Sequence, residues 1–240
     1  MDDAELRSLL AAGSPVADAD LTGLDLRGAV GTAGGPVTLR RCRAEDVDLH
    51  DADLTRATLE QCVLPEANLR GAVLDSARVT GGALTGAMLL DADLTDAVLD
   101  TVDLSRARLA GALLTDARFD ACRMIGVDLR GLRGLAVTFS LDGSNLQLAN
   151  LQDLPLRQAR LRGVDLSEAD LRGTDLREAV LQECRLRDVD LTHTRLTGAD
   201  LRGADLGALT ADAPRQLRGA VISSVQAAAV CRALELVVVD

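Results

Sequence analysis

A leucine, or a residue that replaces it, recurs at every fifth position along most of this chain. One series runs from Leu49 to Leu129 and a second from Leu141 to Leu206. A small residue often lies two positions before each of them, with Asp, Asn or Arg between, as in the sequence Ala-Asp-Leu at 92–94. A period of five fits neither a helix, whose faces repeat every 3.6 residues, nor a strand, whose faces repeat every two.

The period does fit a solenoid that turns a corner every five residues. The leucine and the small residue can both point inward, while the other three positions of the unit point outward. Four such sides close a coil of about twenty residues. One coil cannot bury a core by itself, but coils stacked at the strand spacing of about 4.8 Å form one continuous column of leucine. The pattern therefore predicts one elongated repeat domain over residues 19–214.

The repeated unit A-(D/N/R)-L-x-x, carried from about Ala19 to Ala213, resembles the pentapeptide repeat family. Within that family it is most similar to the actinobacterial MfpA-type and the Qnr-type members, which interact with DNA gyrase. The resemblance implies an all-β fold, a right-handed quadrilateral parallel β-helix.

The register of the repeat breaks twice, near residues 28–36 and near residues 130–138. The first break is rich in Gly and Pro and predicts a surface loop. The second predicts a small bulge or kink in the stack. It is either a tolerated insertion or a bulge that contacts a partner, since loops on a rigid scaffold often carry contacts.

Both ends of the chain differ from the repeat. Residues 1–18 predict an N-terminal capping helix that stops at Gly13. Residues 215–240 predict a C-terminal helix and tail, which either cap the last coil or contact a second copy of the chain. Ser223 or Ser224 can cap this helix, which should run to about Leu234, and 236–239 reads as a short β-like run.

The cysteine residues favour a structural role. Four of the five occupy the small inward position of the repeat: Cys42, Cys62, Cys122 and Cys184. A metal site would need further ligands, but the only histidines are His50 and His193, both at outward positions. We therefore expect core residues, with no metal and no cofactor. The odd count and the lack of a recognisable signal peptide predict reduced thiols in the cytoplasm.

No catalytic motif appears in the chain. It contains no Ser–His or Cys–His pair at a suggestive spacing, no glycine-rich phosphate loop and no HExxH sequence. Carboxylates are abundant, but they follow the repeat on a convex surface, whereas acid–base catalysis needs a cleft. The chain is predicted not to be an enzyme. No apolar segment reaches the length that spans a membrane, so no membrane association is expected.

Charge is the main indication of function. The net charge is −11, and it is uneven: residues 1–129 hold 22 acids and 12 arginines, whereas residues 130–240 hold 15 acids and 14 arginines. Because positions twenty apart share a column, acids of the first half should align along the rod. They are either a solvated consensus surface or an acidic face that resembles DNA. The predicted interaction residues are Asp51, Asp53, Asp91, Asp93, Asp96, Asp100, Asp116 and Asp120.

The resemblance implies a DNA-mimicking partner of DNA gyrase or topoisomerase IV. Such a protein would modulate supercoiling and confer resistance or self-immunity to gyrase-targeting antibiotics, fluoroquinolones among them. It also implies a homodimer through the C-terminal end, with contacts from Val225, Ala228, Ala229 and Arg232. Direct binding of nucleic acid is not expected, since the N-terminal half has no basic patch. The alternative is a non-catalytic interaction scaffold with no topoisomerase role.

Overall fold

The computed structural model describes residues 3–24, 26–27, 35–134 and 138–239. Its strands are two or three residues long, and each pairs in parallel with a strand of a neighbouring coil. The first sheet holds six strands in chain order: β1 (Val16–Ala17), β2 (Thr38–Arg40), β3 (Thr58–Glu60), β4 (Arg78–Thr80), β5 (Val98–Asp100) and β6 (Arg118–Asp120). A second sheet pairs β7 (Arg160–Arg162) with β8 (Val180–Gln182).

The pairing register shows a coil of twenty residues with four sides. Leu59 pairs with Val79, and Val79 pairs with Leu99. Isolated parallel bridges repeat the same step on the other three sides. We number the sides by the buried residues at their centres in one coil: side one is centred on Leu59, side two on Leu64, side three on Leu69 and side four on Leu74. The predicted four-sided parallel β-solenoid is confirmed.

Tight turns close the corners that follow sides two, three and four. Between side four and side one, the N–H of Ala57 donates to the carbonyl of Leu54 at 2.9 Å, and Arg56 between them has a φ of 57°. A positive φ at the third residue is the signature of a type II turn. The last residue of each pentapeptide therefore needs the left-handed conformation, which Gly, Asn and Asp adopt most readily.

The interior contains the two inward positions of every repeat. Leu89, Leu94 and Leu104 are completely buried, and the small residues before the leucines are buried as well. Burying one leucine side chain stabilises the fold by about 1.5–3 kcal/mol, so the column of leucines is the main stabilising element. The four inward cysteines are buried and unpaired, and the Sγ of Cys122 donates to the carbonyl of Leu99 at 3.3 Å.

Both register breaks lengthen a coil without ending the ladder. Arg118 pairs with Ser140, twenty-two residues on, so the coil that contains the break at 130–138 has two extra residues. Residues 135–137 of that break lie outside the described residues, as do residues 28–34 of the predicted loop. The ladder begins at Val16, which pairs with Leu39, slightly earlier than the predicted start of the repeat domain at 19.

The first helix, α1 (Asp3–Ala11), lies at the N-terminal end of the stack. Its Leu6 and Leu10 are buried, and Leu10 lines the same apolar interior as Leu21. The helix stops at Gly13, which has a φ of 65°, and the N–H of Ser14 donates to the carbonyl of Leu9. This hydrogen bond satisfies a carbonyl that the helix end would otherwise leave unpaired.

Two helices follow the last coil: α2 (Ala213–Gln216) and α3 (Ser224–Ala233). Ser223 caps α3 in a capping box with Gln226, as the sequence allowed. The amide of Gln226 also donates to the carbonyls of Leu201 and Ala204, which holds the start of α3 on the last coil. None of the helices in the described part of the chain has the length and hydropathy of a membrane span.

The tail after α3 differs from the expectation. Residues 236–239 form no strand, and within the described ranges no bridge joins them to another segment. Val237 and Val239 are 88% and 83% exposed. The β-like reading of this run was wrong because a strand needs a neighbouring backbone to pair with, and this segment extends beyond the stack.

Candidate protein-interaction surface

The eight acids predicted as interaction residues lie on two adjoining sides of the solenoid. Asp51 and Asp91 occupy the corner that leads from side three into side four. Asp53 lies on side four, one position before the buried Leu54, and we call the residues at this position of successive coils the central column of a side. The remaining members occupy side four, its corner with side one, and side one itself. We call this set the acidic surface: Asp51, Asp53, Asp91, Asp93, Asp96, Asp100, Asp116 and Asp120.

Corner geometry sets the spacing of Asp51 and Asp91. Both have left-handed φ values, 54° and 57°, which Asp tolerates better than most residues. The carboxylate of Asp51 lies over Gly71 of the next coil, where a Cβ atom would collide with it, and Asp91 lies over Gly111 in the same way. Acid and glycine thus alternate along this corner. The two carboxylates are two coils apart, about 10 Å, which limits their repulsion.

Hydrogen bonds fix the acids at the centre of side four. The N–H of Thr55 donates to the carboxylate of Asp53 at 3.0 Å, and the N–H of Thr95 donates to that of Asp93 at 3.0 Å. The hydrogen bond from the Thr55 side chain lowers the pKa of Asp53, and the Thr55 N–H lowers it further. Both groups favour the charged form, so Asp53 is ionised at neutral pH.

Most of the acidic surface carries its charge without a cationic partner. Seven of the eight acids form no ion pair with a described residue, and the eighth, Asp51, has only His50 at 3.1 Å. Over residues 51–120, sides four and one, together with the corner that leads into side four, hold ten acids and three arginines, a net charge of −7. Those four coils span about 19 Å, so there is about one net charge per 3 Å. One strand of DNA carries one per 3.4 Å.

Several acids of the C-terminal half are instead paired with arginine. Asp170 binds Arg172 and Asp200 binds Arg202, each with a closest distance of 2.6 Å. These hydrogen bonds from arginine lower the pKa of Asp170 and of Asp200 to about 2. Sequence reasoning missed this pairing, although its signal is visible: a D-L-R tripeptide places the arginine two residues after the acid, on the same side of the rod.

The predicted dimer residues lie along one face of α3, at helical spacing. Val225 is 76% exposed, Arg232 is exposed, and Ala228 and Ala229 are half-buried. No described residue of α3 is fully buried. The helix therefore presents a face, which includes the exposed Val225, that its own solenoid covers only in part.

These features define the class of the molecule as a β-solenoid repeat protein, a fold typical of non-enzymatic interaction scaffolds. Within the described ranges, no group of three or more His, Cys, Asp or Glu side chains could hold a metal ion. The family model described as pentapeptide repeats matches residues 37–64, 52–89, 92–131, 144–182 and 169–207. The chain belongs to the pentapeptide repeat family.

Solved structures share the fold at low sequence identity. A trypsin-treated variant of QnrB1, a plasmid-mediated fluoroquinolone resistance protein, superposes with a TM-score of 0.69 at 19% identity, covering 94% of this chain and 98% of that one. A second trypsin-treated variant gives 0.69 at 22% identity, with coverage of 81% and 99%. Full-length QnrB1 gives 0.54 at 20% identity, with coverage of 93% and 100%. No curated protein sequence matches the chain.

Proposed function

We propose that this protein is a DNA mimic that binds DNA gyrase or topoisomerase IV through the acidic surface. By occupying the surface that receives DNA, it would modulate supercoiling and confer resistance or self-immunity to antibiotics that target these enzymes. The observation that carries the proposal is the row of carboxylates on sides four and one, of which only Asp51 has an ion-pair partner, His50, among the described residues.

The physical reason lies in charge and rigidity. An enzyme that grips DNA presents Arg and Lys where phosphates dock, and a surface with similar charge density attracts the same groups. The solenoid holds its carboxylates on a hydrogen-bonded ladder, so little conformational entropy is lost when a partner binds. The description of QnrB1 as a fluoroquinolone resistance protein supports the choice of a topoisomerase as the partner.

Side four is the stronger part of the acidic surface. On side one, Arg78 and Arg118 lie in the central column, between the column of Asp96 and Asp116 and the column of Asp100. They lower the negative potential there. On side four, the central column carries Asp53 and Asp93 with Val73 between them. The basic groups of the partner should therefore contact side four most closely.

We further propose that the chain forms a homodimer through α3 and the tail, since their apolar side chains are exposed in the single chain. A dimer joined there would place one acidic surface on each outer arm. Val225→Glu should convert it to a monomer, because a charge would be buried at the contact. Light scattering after size exclusion measures the mass. A wild-type monomer, or a dimeric variant, would contradict this arrangement.

The decisive test is gyrase supercoiling, titrated with the protein, with and without ciprofloxacin. The test variant is Asp51→Asn, Asp53→Asn, Asp91→Asn and Asp93→Asn. Asn keeps the shape of the Asp side chain and tolerates the left-handed backbone conformation of the two corner positions. The control variant removes the same number of negative charges from exposed acids on side two: Glu45→Gln, Asp46→Asn, Glu66→Gln and Glu168→Gln.

Inhibition of supercoiling, or relief from the drug, should be lost in the test variant and kept in the control. Equal loss in both variants would show a dependence on net charge rather than on the acidic surface. No effect of the wild-type protein on gyrase or topoisomerase IV would exclude the proposal and favour the alternative, an interaction scaffold with no topoisomerase role.

A further inference from the structure

A cleft of about 920 Å³ opens at the C-terminal end of side four, beside α2. It lies at the opposite end of the rod from the acidic surface, and its lining has the opposite charge. Four arginines line it: Arg177, Arg195, Arg215 and Arg218. Asp212 is the only acid among the lining residues, although the chain as a whole has a net charge of −11.

Two of these arginines are held in place from behind. Arg177 and Arg195 come from neighbouring coils, and both bind the carboxylate of Asp175, at 2.7 Å and 3.2 Å. The Asp175 side chain is only 8% exposed, so it lies beneath the two guanidinium groups. One carboxylate balances only one of the two charges, so the pair keeps a net positive charge at a fixed position.

The other two arginines, Arg215 and Arg218, come from α2 and the residues that follow it, which lie beside side four. Leu217 anchors this segment by burial, and the N–H of Gly198 donates to the carbonyl of Gly219 at 2.8 Å. Arg215 and Arg218 are exposed and form no ion pair with any described residue. Thr192 and Thr197 add hydroxyl groups to the same lining.

We propose that this cleft binds a small polyphosphate, either free or as the triphosphate of a nucleotide. A guanidinium group donates two parallel hydrogen bonds that match the oxygens of a phosphate. The two arginines held by Asp175 form a prearranged floor, and the two arginines from above can close on the outer phosphates. Several linked phosphates fit four arginines better than a single carboxylate does. The inference is independent of topoisomerase binding.

Calorimetric titration with inorganic triphosphate tests the site, using the full chain. The cleft variant is Arg215→Gln with Arg218→Gln, because neither arginine supports the fold through an ion pair. The control is Arg160→Gln with Arg162→Gln, which removes two exposed and equally unpaired arginines from side one. Circular dichroism checks that both variants fold. ATP and a short DNA duplex, titrated in parallel, distinguish the sources of phosphate.

Triphosphate should bind the wild type and the control alike, and should bind the cleft variant about tenfold more weakly or worse, as expected for two lost charge-assisted contacts. If ATP binds as well, the ligand of the cleft is the triphosphate of a nucleotide. If triphosphate binds and ATP does not, the ligand is a free polyphosphate. The inference is wrong if triphosphate does not bind the wild type, if both variants weaken it equally, or if only the duplex binds.

Discussion

Asp93 and Asp175 occupy the same position of the pentapeptide on the same side of the solenoid, one in each half. Asp93 accepts hydrogen bonds from the N–H and hydroxyl of Thr95 and forms no ion pair with a described residue. Asp175 binds two arginines and is nearly buried. One repeat position therefore serves two purposes: an exposed charge in the N-terminal half and a structural ion pair in the C-terminal half.

The difference depends mainly on the residue two positions after the acid. In the N-terminal half this residue is often Thr or Ser, which hydrogen-bonds the carboxylate and leaves it negative. In the C-terminal half it is often Arg, which neutralises the carboxylate. The interior of a repeat therefore determines the fold, while one outward position decides whether the surface attracts a cationic partner.

The interior should be equally important in both halves. Leu99→Ala and Leu181→Ala remove fully buried leucines from the same column of side one. Each should lower the free energy of unfolding by about 3 kcal/mol, from lost burial and the cavity left behind. Urea denaturation followed by circular dichroism measures both. Values that differ by more than about 2 kcal/mol would show that the two halves do not share one type of core.

A smaller and unequal effect is expected for the acids themselves. Asp175→Asn should cost about 1–3 kcal/mol, because it leaves two arginines without their shared carboxylate. Asp93→Asn should change stability by less than about 0.5 kcal/mol, since the backbone N–H of Thr95 can still donate to the amide oxygen. Thermal denaturation of the two variants measures both changes in stability. Equal losses would remove the proposed distinction between the halves.

The pH dependence of stability should be larger in the C-terminal half, whose acids have the most strongly lowered pKa values. Arginine lowers the folded pKa of Asp170 and Asp200 to about 2, below an unfolded value of about 3.9. Their contribution is therefore complete above about pH 4 and is lost as the pH falls through about 2. The melting temperature should drop across that interval. In the double variant Arg172→Gln and Arg202→Gln, the melting temperature should drop less over the same pH interval. If it drops as much as in the wild type, groups other than Asp170 and Asp200 cause the acid sensitivity.

The smallest effect concerns the thiols. Burial raises the pKa of Cys122 and of Cys184 to about 11, so these inward cysteines should not react in the native state. Cys231 on α3 is the half-buried exception. A colourimetric thiol reagent should modify Cys231 first and the four inward cysteines only after unfolding, because all four are buried. Rapid labelling of the inward cysteines in either half would show a looser core than the structure has.

Much of the architecture could be predicted from the sequence because one period controls it. The spacing of five predicted the four-sided coil, the inward position of the cysteines and the columns shared by acids twenty residues apart. Ser223 was recognisable as a helix cap because capping needs only local geometry. The start of the ladder at Val16 was missed because a strand of two residues has too little pattern to recognise.

Other features depend on contacts between distant residues. The cleft beside α2 brings Arg177 and Arg195 together with Arg215 and Arg218, and that proximity follows from the path of the chain after the last coil. The two extra residues of the longer coil were visible as a register break, but their effect on pairing was not. The tail at 236–239 reads as a strand by composition, yet composition does not supply a pairing partner.

The most direct test of DNA mimicry is the affinity of the protein for gyrase, measured at salt concentrations from about 0.05 M to 0.2 M, where screening changes strongly. The wild-type affinity should fall about tenfold or more across this range, as expected for a contact made through many charges. The variant with Asn at 51, 53, 91 and 93 should bind more weakly and depend less on salt. Tight binding that is insensitive both to salt and to the four substitutions would contradict the proposed DNA mimicry.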